Sequence, residues 1–152
     1  MVEPGHQFEW VWLLHQYRRR GGAQDVAADA DGLFRFAMRH GFDPEHGGIH
    51  DQVAPDGAPV LRTRRIWPMS EAIKACVAMT EAGQDRRAEA ERLAARLLRD
   101  FVPPDRPGWH ETLTREGAPT MSELPGSTPY HLFLAAAEAE RLARLGGDSA
   151  KG

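Results

Sequence analysis

The stretch GIHDQVAPDGAPV, residues 48–60, aligns without a gap with GWHETLTREGAPT, residues 108–120, at an offset of 60 residues. Gly48 falls on Gly108, His50 on His110, Asp51 on Glu111, and Gly57-Ala58-Pro59 on Gly117-Ala118-Pro119. In the first copy, alternating residues flank Asp56-Gly57, a dipeptide suited to the tight turn of a β-hairpin. At the same offset, Glu71 of WPMSEA falls on His131 of STPYHL. One unit is therefore a hairpin, an apolar helix, a second helix and the next hairpin. Self-similarity at such a period marks a repeat architecture.

Five helices are predicted. The first runs from Pro4 to Arg20 through EPGHQFEWVWLLHQY and ends at Gly21-Gly22. Its sparse polar circumference predicts burial nearly all round, with Trp10 and Trp12 in the core. The others are predicted over Val26–His40, Pro68–Ala82, 85–101 and Pro129–Leu145, with residues 147–152 a frayed tail. The first, third and fifth share a feature. A proline lies in the first turn, with a titratable side chain two or three residues on: Pro4 and His6, Pro68 and Glu71, Pro129 and His131. The fourth carries an apolar stripe (Leu93, Leu97, Phe101) and a charged face, as an outer helix would.

Apolar helices alternating with amphipathic ones predict two concentric rings whose inner helices open on one mouth. Closing a ring with six such units takes roughly 350 residues, and uncapped repeat arrays expose apolar faces. About two and a half units are found. The fold class read here is all-α with short β-hairpins: a partial (α/α)6 toroid, residues 1–146 forming its C-terminal part. A greasy helix so close to Met1 adds the expectation that further chain once preceded it.

Composition excludes several function classes. The 152 residues carry a formal net charge of −3, so there is no basic footprint for nucleic acid. No apolar run is long enough to span a bilayer, and MVEPGHQFEW lacks the pattern of a secretory signal, so no membrane partner is expected. The single cysteine, Cys76, makes no disulfide framework and predicts a reducing, cytoplasmic setting.

EPGHQFEWVWLL, RRIWPMSEAIKA and GSTPYHLFLA together resemble the C-terminal half of the N-acylglucosamine 2-epimerase family, which includes GlcNAc 2-epimerases, cellobiose epimerases and mannose and mannose-6-phosphate isomerases. The resemblance implies an (α/α)6 toroid, which agrees with the repeat. It also implies movement of a proton at C2 of an aldose with no cofactor, by two histidines acting as base and acid. By position these are His6 and His131. Glu9 resembles the carboxylate accompanying the first histidine; Trp67 and Glu71 resemble the segment lining the sugar pocket, preceded by a basic residue, Arg65. GWHETLTREGAPTMSELPGSTPYHLFLA leans toward the mannose and mannose-6-phosphate isomerase branch. The implied partner is a small sugar or sugar phosphate. A homodimer, or association with a missing N-terminal half, follows from the half-ring length, because the family's first half supplies an arginine and further pocket residues.

The chemistry suits these residue types. A base near neutral pH must take a proton from carbon beside a carbonyl, and the oxyanion must be stabilised. Imidazole titrates in that range, and a helix N-terminus favours its neutral form while attracting an anion. A hydrogen bond from His6 to Glu9 would fix the imidazole tautomer. Two histidines on opposite sugar faces would epimerise; one carrying the proton from C2 to C1 would isomerise.

Plainer readings stand beside these. His6 and Glu9 make an ordinary helical pair, Glu71 complements a helix N-terminus, His131 is a core histidine, and Trp67 packs. His6, Glu9, Glu71 and His131 could also ligate a metal, although the resemblance implies none. His46, His50 and Asp51 form a cluster assigned to the hairpin because His50 has a counterpart in His110. Arg62 and Arg64 alternate on one strand, to meet a phosphate or, more simply, as a solvated edge. Two rival functions remain: an (α/α)6 glycoside hydrolase using Glu9 and Glu71, and a non-catalytic half-barrel fragment or binding piece.

Overall fold

The computed structural model describes residues 1–120 and 123–148, with side chains through Arg144. Pro4 opens α1 (Pro4–Arg19), where its missing N–H forfeits no intrahelical bond. Gly21, at φ +81°, turns the chain out of that helix. The Asp25 carboxylate accepts the Ala27 N–H at 3.1 Å in the turn that leads into α2 (Ala27–Phe36). The segment expected to continue as α-helix to His40 instead widens into a π turn, Ala37–Gly41. There the Gly41 backbone lies close against Pro4; a Cβ on Gly41 would sit 2.5 Å from the proline ring.

Strands β1 (Gln52–Val53), β2 (Pro59–Leu61) and β3 (Arg64–Arg65) lead into α3 (Ile66–Glu81). The amphipathic α4 (Arg87–Phe101), β4 (Thr112–Leu113) and α5 (Thr128–Asp148) follow. α3 begins two residues before Pro68, α5 begins one before Pro129, and α5 runs three residues beyond the expected Leu145. Residues 149–152 of the tail, and Met121 and Ser122 in the second hairpin, lie outside the described residues.

The sequence repeat reappears bond for bond. In the first hairpin Ala54 N–H donates to Ala58 O at 2.8 Å and Gly57 N–H to Ala54 O at 2.8 Å. In the second, Thr114 N–H donates to Ala118 O at 2.8 Å and Gly117 N–H to Thr114 O at 3.1 Å. Gly57 and Gly117 hold φ values of +91° and +102°, a region that admits glycine readily and other residues at a cost. Each hairpin then pairs with the segment that precedes an inner helix. Val2, just before α1, bridges Val53; Arg64 and Arg65, just before α3, pair antiparallel with Leu113 and Thr112.

α1, α3 and α5 form the inner layer, with α2 against α1 and α4 against α3. Every residue of α3 from Ile66 to Met79 is buried. Its small residues Ala72, Ala75, Cys76 and Ala78 let neighbouring helices approach closely, and Phe8, Val11, Phe34, Leu93, Leu97 and Phe101 pack around it. The α4 stripe Ala90, Leu93, Leu97 and Phe101 turns inward as its periodicity predicts. The inner helices run parallel: His6, Trp67 and His131 gather at their N-terminal ends. At the opposite ends His15 Nε2 lies 2.7 Å from Glu81, and Arg141 binds Glu81 and Glu138.

Two expectations are corrected. α1 is not buried all round: Trp10 is 55% exposed, and Leu13 and Tyr17 also face outward, because α2 and α3 cover only one side of the helix. Trp12, by contrast, packs against the core. Arg64 is not part of a solvated strand edge. It is buried, its guanidinium donating to Gly47 O and Asp100 at 3.0 Å each and to Thr114 O at 3.3 Å. One arginine thereby ties both hairpins to α4, while Arg62 stays exposed.

Candidate active site

The mouth is built from the first turns of three helices. Trp67, in the first turn of α3, is its centre. The His6 ring from α1 lies 5.0 Å from the indole, the His131 ring from α5 lies 5.2 Å from it, and the Arg65 guanidinium lies 5.1 Å over it. Gly5 permits this closeness: a Cβ there would fall 2.6 Å from the indole, so only glycine lets α1 pass Trp67 at this distance. Arg65 is itself held by Asp51 at 2.6 Å and Glu3 at 3.2 Å.

The two histidines occupy different surroundings. His131 is buried, and its Nδ1 lies 2.5 Å from Glu71 Oε1. Glu71 is wholly buried, and the same oxygen is 2.8 Å from Lys74 Nζ. Burial pushes the Glu71 carboxyl above the ordinary carboxylate range, opposed by Lys74 and His131. Its other oxygen, Oε2, is buried with no hydrogen-bond donor among the described residues. Bonding Nδ1 of His131 to a carboxylate makes Nδ1 the donor and leaves Nε2 available for chemistry. His6 is open to solvent, its side chain 58% exposed, with Nδ1 3.5 Å from Glu3.

The expected His6–Glu9 bond is not formed. Glu3, one turn earlier, is the partner of His6; Glu9 instead receives the Tyr130 hydroxyl at 3.5 Å. Glu9 joins Glu71 and His131 in a group whose ligand-type atoms lie within 4.8 Å of one another. That spacing could accept a divalent cation, but the Lys74 ammonium already supplies positive charge at Glu71. Tyr130 lies against His131 with ring centroids 3.9 Å apart. Burial and the Glu9 and Glu71 carboxylates push its hydroxyl above the ordinary phenol range.

The structure thus brings His6, Glu9, Arg65, Trp67, Glu71 and His131 to one mouth. It adds Glu3, Asp51, Lys74 and Tyr130, which sequence reasoning missed. Asp51 carried a signal, the repeat match to Glu111: Asp51 holds Arg65, and Glu111 accepts the Thr128 hydroxyl at 2.8 Å. Both acids anchor the start of an inner helix. Of the hairpin cluster, His46 lies near Asp43, which Arg115 binds at 2.7 Å, and His50 is buried; neither belongs to the mouth.

Comparison with known proteins adds context. The sequence model described as N-acylglucosamine 2-epimerase matches residues 1–135. A mannose-6-phosphate isomerase of Rhizobium meliloti is 34% identical over 145 residues, covering 92% of this chain and 38% of that protein. The N-acylglucosamine 2-epimerase of Mus musculus is 29% identical, covering 85% of this chain and 33% of that protein. A crystal structure of D-mannose isomerase superposes with a TM-score of 0.84 at 25% identity, over 92% of this chain and 37% of that one. The cellobiose 2-epimerase of Spirochaeta thermophila shares the fold, with a TM-score of 0.83 at 19% identity over 93% of this chain and 39% of that one. The chain spans between 33% and 39% of the length of these relatives.

Proposed function

The chain belongs to the N-acylglucosamine 2-epimerase family, and from that premise we propose that its mouth takes part in moving a proton at C2 of an aldose, as a sugar isomerase or epimerase. The observation that carries the reading is the placement of two imidazoles from α1 and α5 within 5.2 Å of one indole, one of them held by a buried carboxylate. Nε2 of one histidine removes the C2 proton. The C–H electron pair becomes the C1–C2 double bond of an enediolate, and the carbonyl oxygen takes the negative charge. A proton returned to C2 from the opposite face gives an epimer; a proton delivered to C1, with the C2 hydroxyl proton passing to O1 as the C2 carbonyl forms, gives a ketose. Glu71 holds the Nδ1 proton of His131 and balances imidazolium when it forms, the general role of a carboxylate behind a catalytic histidine. Trp67, itself buried, is the wedge against which both imidazoles rest, and Arg65, fixed by Asp51 and Glu3, brings a cation to the sugar oxygens beside them.

The relatives named above favour mannose or mannose 6-phosphate as substrate over GlcNAc. A glycoside hydrolase fits less well. Such an enzyme needs two carboxylates flanking the scissile bond, whereas Glu71 is wholly buried and its Oε1 is taken by Lys74 and His131.

A second, compatible reading is an assembly piece. Trp10, Leu13 and Tyr17 on α1, and Tyr130 and Phe133 on α5, are large apolar side chains left exposed. Exposed apolar side chains on inner-layer helices suit an interaction site, and we assign them to contact with a second copy or with the amino-terminal part of a full toroid. The buried free thiol of Cys76 fits a reducing, cytoplasmic setting.

The test incubates mannose, mannose 6-phosphate and GlcNAc in deuterated water with the chain alone, and with the chain fused behind the amino-terminal part of the Rhizobium relative. Deuterium entering C2 of one sugar supports the reading. No exchange with any sugar in either form overturns it.

A further inference from the structure

Below the mouth, the polar groups continue inward. Lys74, on α3, is 1% exposed, as buried as the carboxylate it meets. Its ammonium contacts Glu71 Oε1 at 2.8 Å and lies 4.2 Å from the Trp12 ring centroid on α1. Trp12 is fixed in turn by donating its Nε1–H to Glu138 on α5 at 3.2 Å. A line therefore runs from His131 through Glu71 and Lys74 to Trp12 and Glu138, crossing all three inner helices.

A lysine stripped of water in this way is costly unless it does something a hydrocarbon side chain would not. We propose that Lys74 is a positioning residue for His131: its charge holds Glu71 ionised, so that Glu71 keeps the proton on Nδ1 of His131 and leaves Nε2 free to exchange a proton with substrate. Without Lys74, Glu71 and His131 face each other as a buried acid–base pair that gains stability by sharing an extra proton. Lys74 makes that extra proton expensive, because it would give the group net positive charge. The other charged and titratable groups at the pair are Glu9 from α1 and the Tyr130 hydroxyl from α5; His6 and Arg65 lie across the Trp67 ring. Glu9 and Tyr130 supply no cation, so Lys74 is the cation in direct contact with Glu71 among the described residues.

Only the activity arm of the test rests on the sugar-isomerising reading. In the first arm, imidazole 15N signals of the full chain are followed against pH in wild type, Lys74→Met and Lys74→Arg. Methionine fills similar volume without charge, so the pair should take up its proton at a pH higher by about one unit or more, within the range a neighbouring charge produces. Arginine should leave the midpoint within a few tenths of a pH unit of wild type. An unchanged midpoint in Lys74→Met overturns the inference, whatever happens to activity.

The second arm measures C2 exchange against pH. Wherever the midpoint of Lys74→Met rises by one pH unit, exchange on the acidic limb should fall about tenfold and recover at alkaline pH. A uniform loss at every pH would assign Lys74 a merely structural role. If Lys74→Met does not fold, the double variant Lys74→Met, Glu71→Gln should, since both charges are then removed together; failure of the double as well would overturn the pairing. A raised midpoint in a chain that exchanges no sugar would leave Lys74's role standing and refute the proposed reaction.

Discussion

Gly5→Ala changes one hydrogen for a methyl group at the point where α1 crosses Trp67. The new Cβ would stand 2.6 Å from Trp67 Cη2, 2.8 Å from Cζ3 and 3.0 Å from Pro68 Cβ. Carbon atoms pack at about 3.5–4.0 Å, so α1 or the indole must move by about 1 Å. The indole has little freedom, with His6, His131 and the Arg65 guanidinium against it. Overpacking of this kind costs about 1–3 kcal/mol, and alanine's better helix propensity returns up to about 1 kcal/mol. The net loss of about 1–2 kcal/mol should lower Tm by about 3–6 °C for a chain of this size. The displaced ring also shifts the two imidazoles relative to substrate, and a 1 Å misplacement can cost about a hundredfold in rate. Thermal melting monitored by circular dichroism gives the first quantity; C2 deuterium exchange gives the second. Gly32→Ala on α2 is the control, since nothing lies within 4 Å of its Cβ position; it should be neutral or slightly stabilising. A Gly5→Ala protein with wild-type Tm and wild-type exchange would refute the claim that this close approach positions Trp67.

Three further outcomes are expected. Glu71→Gln strands the Lys74 ammonium in a buried site, and should cost about 3–5 kcal/mol in urea denaturation; a loss below about 1 kcal/mol would mean the buried pair is not formed. Arg64→Met leaves the carbonyls of Gly47 and Thr114 without their shared donor, and should cost about 2–3 kcal/mol by the same measurement; wild-type stability would show the hairpins hold without it. Stability should also fall in acid. Burial alone would raise Asp43, but the Arg115 guanidinium and the N–H groups of His46 and Glu45 outweigh it and hold the carboxyl far below the ordinary carboxylate range. Glu81, through Arg141 and His15, and Asp100, through Arg99, Arg96 and Arg64, are likewise lowered against the pull of burial. A depressed folded-state pKa gives stability that is complete above the unfolded value, near 4, and is lost as pH falls below it. Tm should therefore decline steadily below about pH 4, less steeply in Asp43→Asn; equal slopes in the two proteins would contradict the assignment.

Much of the architecture was legible because a repeat constrains more than local propensity does. Two hairpins with glycine at matched positions, and three helices opening alike, fixed the unit and the side of the ring where the mouth lies. The π turn after Phe36 was not legible, since nothing in AMRHG departs from a helical pattern. The outward face of α1 was misread because Trp10, Leu13 and Tyr17 are apolar, and composition does not say whether a neighbour covers them. Arg64 and Arg62 look equivalent on a strand, yet β2 ends at Leu61 and Arg64 opens β3 in the other sheet, where it turns inward to its acceptors while Arg62 stays in solvent. At the mouth, His6, Trp67, Glu71 and His131 were found by repeat position and family pattern. Their partners were not, because spacing along one helix cannot show what faces it from another: Glu9 turned to Tyr130 rather than His6, and Lys74 met both Glu71 and Trp12.

The most direct test of the central claim is deuterium incorporation at C2 of mannose or mannose 6-phosphate, measured separately for His6→Asn and His131→Asn in whichever form of the protein exchanges. Loss of a general acid or base costs about 10²–10⁴-fold, and a loss of that order is expected in both variants. Wild-type exchange by either one would contradict the two-histidine mechanism.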